Sequence, residues 1–587
     1  MTKPRTLWCL LLTVVGLSLC ATPAAAQPVA VTHQPTAEER LEAKAAEAFS
    51  ASNPLLQVLK VMAGTLISED LTCIMVGLLI RKEILDPYIG ILGCFLGILL
   101  GDFTLWLLGR LVGYRALRWK RITKWISPRQ VEKLEGWFEH RGWTAVLAAR
   151  FLPGTRMPVY FMAGAVGHHA GQFLLCALIA AIFWTPMLIL LVAMFGHQVV
   201  APLELVFGSG FPALLVSAVC IMLIIRMVSM MFTAAGRSRL VAIFSRIWRW
   251  EFWPQWIFYI PVLPWIAWLA LRYRGVTVPT AANPGIPHGG IIGESKIDIL
   301  KRLPQDAIVP SALIAPGELL HRVHELTQLM SAHHWHFPVI LKPDVGQRGM
   351  GLRRIQNAEE ATTYFQNYTP AVLVQTYHPG PFEAGVFYYR MPDEPTGRIF
   401  SITDKHFPHL IGDGVSTVEQ LIWRHPRLRM QARTFLQRLD VLADSIPAAG
   451  ERLSLAVAGN HCQGTLFRDG AHLITPQLEQ RIDAIAGEFA GFYFGRFDIR
   501  YTDVEAFKRG EDIGIVELNG VLSESTNIYD PSWSFWSAYR VLFRQWSLVF
   551  AIGDQNRRRG KQISSIAQVR RAMRSFYNAP RSRALSD

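Results

Sequence analysis

Two short stretches in the last hundred residues carry side chains that could do chemistry together. In Gly495-Arg496-Phe497-Asp498-Ile499-Arg500-Tyr501 polar and apolar residues alternate. As a strand, this places Arg496, Asp498 and Arg500 on one face and leaves Phe497, Ile499 and Tyr501 for the core. The same alternation from Ile513 to Gly520 puts Glu517 and Asn519 together and turns Val516 and Leu518 inward. As neighbouring strands, the two would converge Asp498, Glu517 and Asn519 as hard oxygen ligands of the kind Mg²⁺ takes alongside phosphate oxygens. The alternative is a solvated, charged strand face.

Further upstream, an apolar strand from Phe337 to Leu341 runs into Lys342-Pro343-Asp344 and then Gly346-Gln347-Arg348-Gly349-Met350-Gly351. A strand lysine ahead of a flexible glycine loop can set one positive charge and several backbone N–H groups around a polyphosphate. Taken alone the glycines also read as a plain turn, and neither the G-K-[ST] nor the G-x-G-x-x-G order is present. His333, His334 and His336 look like a metal cluster but fall in a linker before this strand and read as a solvated turn. His461 beside Cys462 reads as structural.

A third set of ionisable residues, Glu69 with Asp70, Asp102, Arg150 and Arg156, lies within apolar stretches. Charges at membrane depth are costly, so each is a functional candidate. The other reading has them pair with one another and hold structural elements in place. Both hold if an acid–arginine pair can be opened by a proton or an anionic headgroup.

The elements that must position these groups divide into two kinds. The 587 residues are long enough for several domains, and only 18% are charged, against about 25% in soluble domains. The apolar share of 51% is concentrated before residue 275, which predicts a membrane half followed by a soluble half. Lys3 and Arg5, the apolar run Leu7 to Ala21 and Ala24-Ala25-Ala26 predict a signal peptide over 1–26, the alternative being an uncleaved first helix. Residues 27–50 form a polar, periplasmic segment. Apolar segments follow at 54–80, 88–109, 143–165, 172–196, 210–233 and 252–271, and Arg150, Pro153, Arg156 and Pro158 make the third of them a re-entrant loop rather than a span.

The basic residues between 110 and 133 and the arginines of 236–250 put both loops on the cytoplasmic side, with Trp248, Trp250 and Trp253 as interface anchors. Pro254, Pro261 and Pro264 make 252–271 a broken element that dips in and returns, which keeps the soluble half in the cytoplasm. The domain limits expected are 51–200 and 201–275 for the membrane elements, 285–545 for an α/β (α+β) domain, and 555–587 for a basic tail. That tail, like the basic loops, suits anionic headgroups, and no aromatic-interleaved module points to nucleic acid. The seven cysteines form no disulfide framework or zinc-spaced pair.

Gly101-Asp102, Gly109-Arg110, Gly113, the run Arg150-Phe151-Leu152-Pro153-Gly154-Thr155-Arg156, Ala163-Gly164 and Trp184 resemble the DedA (SNARE-associated Golgi, VTT) family over roughly 55–200. The resemblance implies two facing re-entrant hairpins and movement of a phospholipid or polyprenyl-phosphate headgroup. Arg150 and Arg156 would meet the phosphate, Glu69 would be the coupling acid, and Asp102 would belong to the same transport set. Family members usually place a second acid and a P-G pair shortly after that glutamate, where this chain has G-L-L-I-R-K-E over Gly77 to Glu83.

The lysine with its glycine loop, followed much later by R-x-D and E-x-N, resembles the ATP-grasp superfamily, in particular the D-alanine–D-alanine ligase-like carboxylate–amine ligases, over about 290–535. The resemblance implies that Lys342 contacts the nucleotide phosphates and that Gly346, Arg348, Gly349 and Gly351 belong to a lid. It places Gln375 and Tyr377 at the adenine hinge, Glu383 at the ribose, and Mg²⁺ on Asp498, Glu517 and Asn519. Arg496 would stabilise the transition state and Lys405 would touch a phosphate or acyl phosphate. Gly412-Asp413-Gly414 is similar to a loop of related peptide ligases. Gln375 stands where a glutamate is common, and the separate N-terminal substrate domain of many ligases is missing, which leaves the acceptor pocket undefined.

Together the resemblances imply an α-helical polytopic membrane domain with re-entrant hairpins, followed by an α/β (α+β) ATP-grasp domain. The chain would sit in a bacterial inner (cytoplasmic) membrane with its ATP-grasp domain facing the cytoplasm. It would use ATP and Mg²⁺ to join a small-molecule carboxylate to an amine through an acyl phosphate. The other readings are a transporter whose ATP-grasp half only senses nucleotide, and an ion exchanger with a passenger domain.

Overall fold

The computed structural model describes residues 52–116, 146, 147, 149, 150, 156–165, 170–196, 198, 211–232, 234–346, 351–456, 459, 461 and 464–578. The expected signal peptide, the polar segment to residue 50, most of the basic loop and the end of the tail lie outside them, as do Phe151 to Thr155, Arg348 and Gly349. The chain forms two compact units, Met1–Leu240 and Val241–Asp587.

In the first unit, α1 (Pro54–Ile67) starts where the Asn53 side chain accepts from the Leu55 N–H, with proline in the first turn. Ser68 is extended and ends it, and α2 (Glu69–Arg81) begins with Glu69 and Asp70, where carboxylates complement the positive end of a helix. The apolar segment 54–80 is therefore two helices of about 20 Å each, shorter than the roughly 30 Å hydrocarbon layer. α3 (Pro87–Ala116), α4 (Arg156–Ala165), α5 (Ala170–Phe195) and α6 (Phe211–Met231) follow. Two described helices are long and apolar enough to cross a membrane, over Pro87–Leu111 and Ala170–Phe195. α3 and α4 meet at glycines: a Cβ on Gly109 would fall 2.0 Å from the Phe161 carbonyl oxygen, and one on Gly164 2.0 Å from that of Trp106. Only hydrogen in place of a side chain lets the two backbones come this close.

α7 (Ala234–Trp248) contains the boundary between the units. In the second unit, Pro254 and Pro261 divide 252–271 into α8 (Gln255–Tyr259) and α9 (Val262–Arg272). The 11 residues of α9 reach about 16 Å, half a hydrocarbon layer. After α10 (Lys296–Leu300), the strands β1 (Ser311–Ile314), β2 (Val339–Pro343), β3 (Arg353–Ile355) and β4 (Val372–Thr376) form an antiparallel sheet ordered β1-β4-β2-β3. Val339, Leu341, Val372 and Val374 pack there against Leu326 of α11 (Leu319–Ala332) and Tyr364 and Phe365 of α12 (Ala358–Asn367).

The second sheet is ordered β11-β10-β5-β6-β9. It contains β5 (Phe382–Tyr389), β6 (Arg398–His406), β9 (Leu466–Asp469), β10 (Phe494–Tyr501) and β11 (Gly514–Asn519). Between β6 and β9 lie the pair β7 (His409–Ile411) and β8 (Arg452–Ser454), with α13 (Val418–Arg424) and α14 (Ala432–Leu439). α15 (Pro476–Glu488), α16 (Val504–Lys508), α17 (Phe535–Arg558) and α18 (Ile566–Asn578) complete the unit. Among the described residues every pair of named strands is antiparallel, so this half is α+β rather than α/β.

The two faces of the five-stranded sheet differ. Val386, Tyr388, Ile402, Phe497 and Ile499 form one core with Ile482 and Ile485 of α15. On the opposite face, Phe387 and Phe494 are covered by Leu269 of α9 and by Val549 and Phe550 of α17. Further along that face the apolar cover stops, and Glu383, Lys405 and Asp498 line a cavity.

Candidate functional site

β10 and β11 pair so that Asp498 faces Glu517 and Arg496 faces Asn519. The register then slips: Ile499 faces Ile515, and Val516 is the extra residue of a β-bulge. This corrects the simple alternation. Leu518 is in the core as expected, but Ile515 takes the other core position and Val516 lines the cavity instead. Because the bulge takes Val516 out of the ladder, its carbonyl can accept from Lys342 Nζ at 3.0 Å, which ties β2 of the four-stranded sheet to β11 of the five-stranded one. Lys342 Nζ also donates to Gln375 Oε1 at 3.0 Å. Burial pushes the Lys342 ammonium down to about 8, with Glu517 pulling the other way.

Asp498 accepts four hydrogen bonds. Its Oδ1 accepts from Lys405 Nζ at 2.8 Å and from Arg496 Nε at 3.0 Å, and its Oδ2 from Arg496 Nη2 and Asn519 Nδ2, both at 3.2 Å. Burial raises this carboxyl, but Arg496 and Lys405 outweigh it and hold the group at about 2, ionised throughout the physiological range. Gly385 faces Asp498 across β5, and its missing side chain leaves room: a Cβ there would stand 3.2 Å from Arg496 Cδ and 3.4 Å from Asp498 Oδ1.

Lys405 is not a surface lysine. It is buried between Asp498 and Glu383, 2.8 Å from each, and Arg500 Nε takes the other Glu383 oxygen at 3.1 Å. Burial opposes the charge on Lys405, yet the two carboxylates raise its pKa overall. Glu383, which the resemblance places at a ribose, has both oxygens committed to these cations.

These side chains line one cavity of about 940 Å³, which lies within the usual range for small-molecule sites, about 300–1,000 Å³. Gly346, Gln375 and Tyr377 line it too, whereas Gly351 and the Gly412-Asp413-Gly414 turn do not. Gly351 adopts φ 78°, and its carbonyl accepts from the Tyr364 hydroxyl at 2.7 Å, an anchor at the foot of the loop.

Sequence reasoning missed Lys296. Its Nζ donates to the Gly346 carbonyl at 2.7 Å and lies 3.7 Å from Glu517 Oε1, which brings a second cation to the same wall. Its only local sign was a lysine directly after the helix-capping Ser295. Also missed were the residues around α8 that line the cavity, because 252–271 read as membrane-associated.

The donor set can be tested against Mg²⁺ by its chemistry. Asp498 and Glu517 supply two carboxylates on one cavity wall and Asn519 a carboxamide, all hard oxygen donors that suit the ion alongside phosphate oxygens. Among the described residues no group of three or more His, Cys, Asp or Glu forms a metal cluster.

The first unit brings its own predicted set together. Arg150 Nη1 donates to Asp102 Oδ2 at 2.6 Å and its Nη2 lies 3.9 Å from Glu69. Arg156 pairs with Glu69 and lies 3.5 Å from Asp102. Glu69 comes from the start of α2, Asp102 from the middle of α3 and Arg156 from the start of α4, so this network joins three helices.

Residues 67–198, which contain all four of these groups, match the family model of the VTT domain. A curated relative is an uncharacterized membrane protein of Haemophilus influenzae, 30% identical over 103 residues, or 17% of this chain and 49% of that protein. The chain thus spans about half the length of this curated relative. The match to the VTT family covers residues 67–198, and both described helices that are long and apolar enough to cross a membrane, Pro87–Leu111 and Ala170–Phe195, lie inside it.

Solved structures also show similarity. A bifunctional glutathione synthetase from Pasteurella multocida is 19% identical, covering 43% of this chain and 35% of that one at a TM-score of 0.26. A D-alanine–D-alanine ligase from Bacillus anthracis is 12% identical, covering 46% of this chain and 67% of that one, also at 0.26.

Proposed function

We propose that the chain is a membrane-bound, ADP-forming carboxylate–amine ligase of ATP-grasp type, joined to a VTT domain that handles a lipid or its headgroup. The observation that carries this reading is the meeting of Lys342, from one antiparallel sheet, with Asp498, Glu517 and Asn519, from another, around one cavity.

In this reading Lys342 and Lys296 hold the nucleotide phosphates as fixed cations. Asp498, Glu517 and Asn519 would hold Mg²⁺, which neutralises phosphate charge when bound. A carboxylate oxygen of the first substrate attacks the γ-phosphorus, and ADP leaves. The amine nitrogen of the second substrate attacks the acyl carbon, and inorganic phosphate leaves with the electron pair while the amine gives up a proton. Arg496 presents a planar fork to the transferring phosphoryl group. That fork rests on Asp498, so in this reading nucleotide binding moves Arg496 off the carboxylate. No side-chain nucleophile takes part.

The chain resides in a bacterial inner membrane with this site on the cytoplasmic side, where ATP is supplied. In the VTT domain, Arg150 and Arg156 receive an anionic headgroup that competes with Glu69 and Asp102 for them.

The test is ADP release by the purified full chain in the presence of mixed amino acids and mixed primary amines. Release that depends on added substrate and disappears in Lys342→Ala and Glu517→Ala supports the ligase. ATP binding without turnover under every mixture overturns it in favour of a nucleotide sensor.

A further inference from the structure

The same cavity is also lined by Trp253, Gln255, Trp256, Tyr259, Glu524 and Tyr529. Glu524 is the acid among these six. Gln255 Nε2 donates to Oε1 at 3.3 Å, the Tyr259 hydroxyl donates to the same oxygen, and the Tyr529 hydroxyl donates to Oε2 at 3.1 Å. These three donors are a carboxamide and two phenols, so they fix the carboxylate without cancelling its charge. A carboxylate accepts about four hydrogen bonds, which leaves room for one more donor.

The aromatic wall is itself held in place. Trp253 Nε1 donates to the Arg246 carbonyl at 2.9 Å, and its ring packs edge-on against Phe535 at 5.7 Å. Trp256 remains 69% exposed while lining the cavity, so the packing of the domain does not account for it. Glu524 is also tied to the chemistry: Arg496 Nη1 donates to its backbone carbonyl at 3.0 Å. The backbone of this residue therefore stands one hydrogen bond from the guanidinium that the ligase reading gives to the transferring phosphoryl group.

We propose that Glu524 is the subsite for the ammonium group of the amine substrate, taking one proton from it so that the nitrogen has a lone pair for attack, and that Trp253, Trp256 and Tyr259 take an apolar body attached to it. The amine class is thus a primary amine on an aromatic or alkyl scaffold, and the inference rests on the ligase reading for the identity of its neighbour site. A fixed carboxylate beside aromatic faces recognises such a cation twice, through charge-assisted hydrogen bonding and through the ring quadrupoles. A free amino acid zwitterion would bring its own carboxylate against Glu524 and is disfavoured.

The experiment uses the full chain in lipid nanodiscs, first titrated with a non-hydrolysable ATP analogue and Mg²⁺ and then, by calorimetry, with phenethylamine, ethylamine and 2-phenylethanol, against empty nanodiscs. Phenethylamine is expected to bind, and each half-probe to bind about tenfold more weakly or worse. Glu524→Gln should weaken phenethylamine about tenfold while leaving the affinity for the analogue within about twofold. Trp256→Ala, an exposed site that spares the fold, should also weaken it. Unchanged phenethylamine affinity in Glu524→Gln overturns the subsite, as does absence of phenethylamine binding when the analogue binds. If the analogue itself does not bind, the nucleotide reading fails separately, and the amine titration of wild type against Glu524→Gln still decides the subsite.

Discussion

Asp498 stands directly opposite Glu517 across β10 and β11, yet the two carboxylates live in different surroundings. Asp498 is buried beneath Arg496 and Lys405, whereas the Glu517 side chain keeps 31% of its exposure and has Lys296 at 3.7 Å. The first therefore balances buried cations, and the second is open to a ligand.

The contrast predicts different consequences for two isosteric substitutions. Asp498→Asn leaves Lys405 and Arg496 short of a counter-charge, and a buried pair broken on one side costs about 3–5 kcal/mol. Thermal melting should show this loss directly. Glu517→Gln should change stability by no more than about 0.5 kcal/mol. Its effect should appear in titrations of ATP against magnesium, with affinity at saturating magnesium lowered about tenfold.

Lys342 predicts a pH dependence whose sign can be worked out. In the folded protein its pKa is about 8, below the roughly 10.4 of an exposed lysine. Below pH 8 it is a cation in both the folded and unfolded states, and the cost of burying the charge is fully present. Between about pH 8 and 10.4 the folded form has lost a proton that the unfolded form keeps, so stability of the unliganded protein from this group rises with pH. Nucleotide affinity moves the other way, because the phosphates need the cation: it should fall above pH 8 by up to about tenfold per pH unit. Gln375→Glu would put a negative charge where Oε1 now accepts from Nζ, and should move that midpoint up by about one unit or more. Calorimetric titrations of an ATP analogue at several pH values check both statements.

The local half of this site was legible and the long-range half was not. Alternation in β10 placed Arg496, Asp498 and Arg500 on one face because a strand has a fixed period of two, and the pairing with Glu517 followed from two such strands being neighbours. The bulge at Val516 left no mark in that period, since an inserted residue becomes visible only against its partner strand. Lys405 reaches Asp498 through β5, a strand that separates β6 from β10, and nothing near Lys405 in sequence announces that pairing. The prolines correctly marked a break within 252–271. That one face of α9 packs on α17 was not readable, because an apolar face looks the same whichever partner it has.

The crossing of α3 and α4 predicts a steric effect independent of charge. A methyl group at Gly164 would meet the Trp106 carbonyl at 2.0 Å, and relief requires the helices to separate. Gly164→Ala should destabilise the membrane unit by about 1–3 kcal/mol, the range found when a packed interface is overfilled. Gly171→Ala, where nothing lies within 4 Å of the added carbon, should be tolerated. Thermal stability in detergent, measured for both, separates a packing requirement from a general intolerance of substitution in apolar helices.

The buried network of Arg150, Asp102, Glu69 and Arg156 gives the sharpest test of whether the membrane unit handles an anionic headgroup. Arg150→Met leaves Asp102 without the partner that donates to it at 2.6 Å, and should cost about 3–5 kcal/mol. Adding Asp102→Asn removes the stranded charge and should recover most of that loss, since replacing both members of a buried pair is often neutral. If the network only fastens α2, α3 and α4 together, the double variant recovers function along with stability. If Arg150 receives a phosphate, the double variant folds but moves no lipid. Flip-flop of a fluorescent anionic phospholipid in liposomes containing the full chain, read beside the melting temperature of each variant, distinguishes the two: recovered stability with lost movement is expected, and recovered movement would reduce the network to a structural clamp.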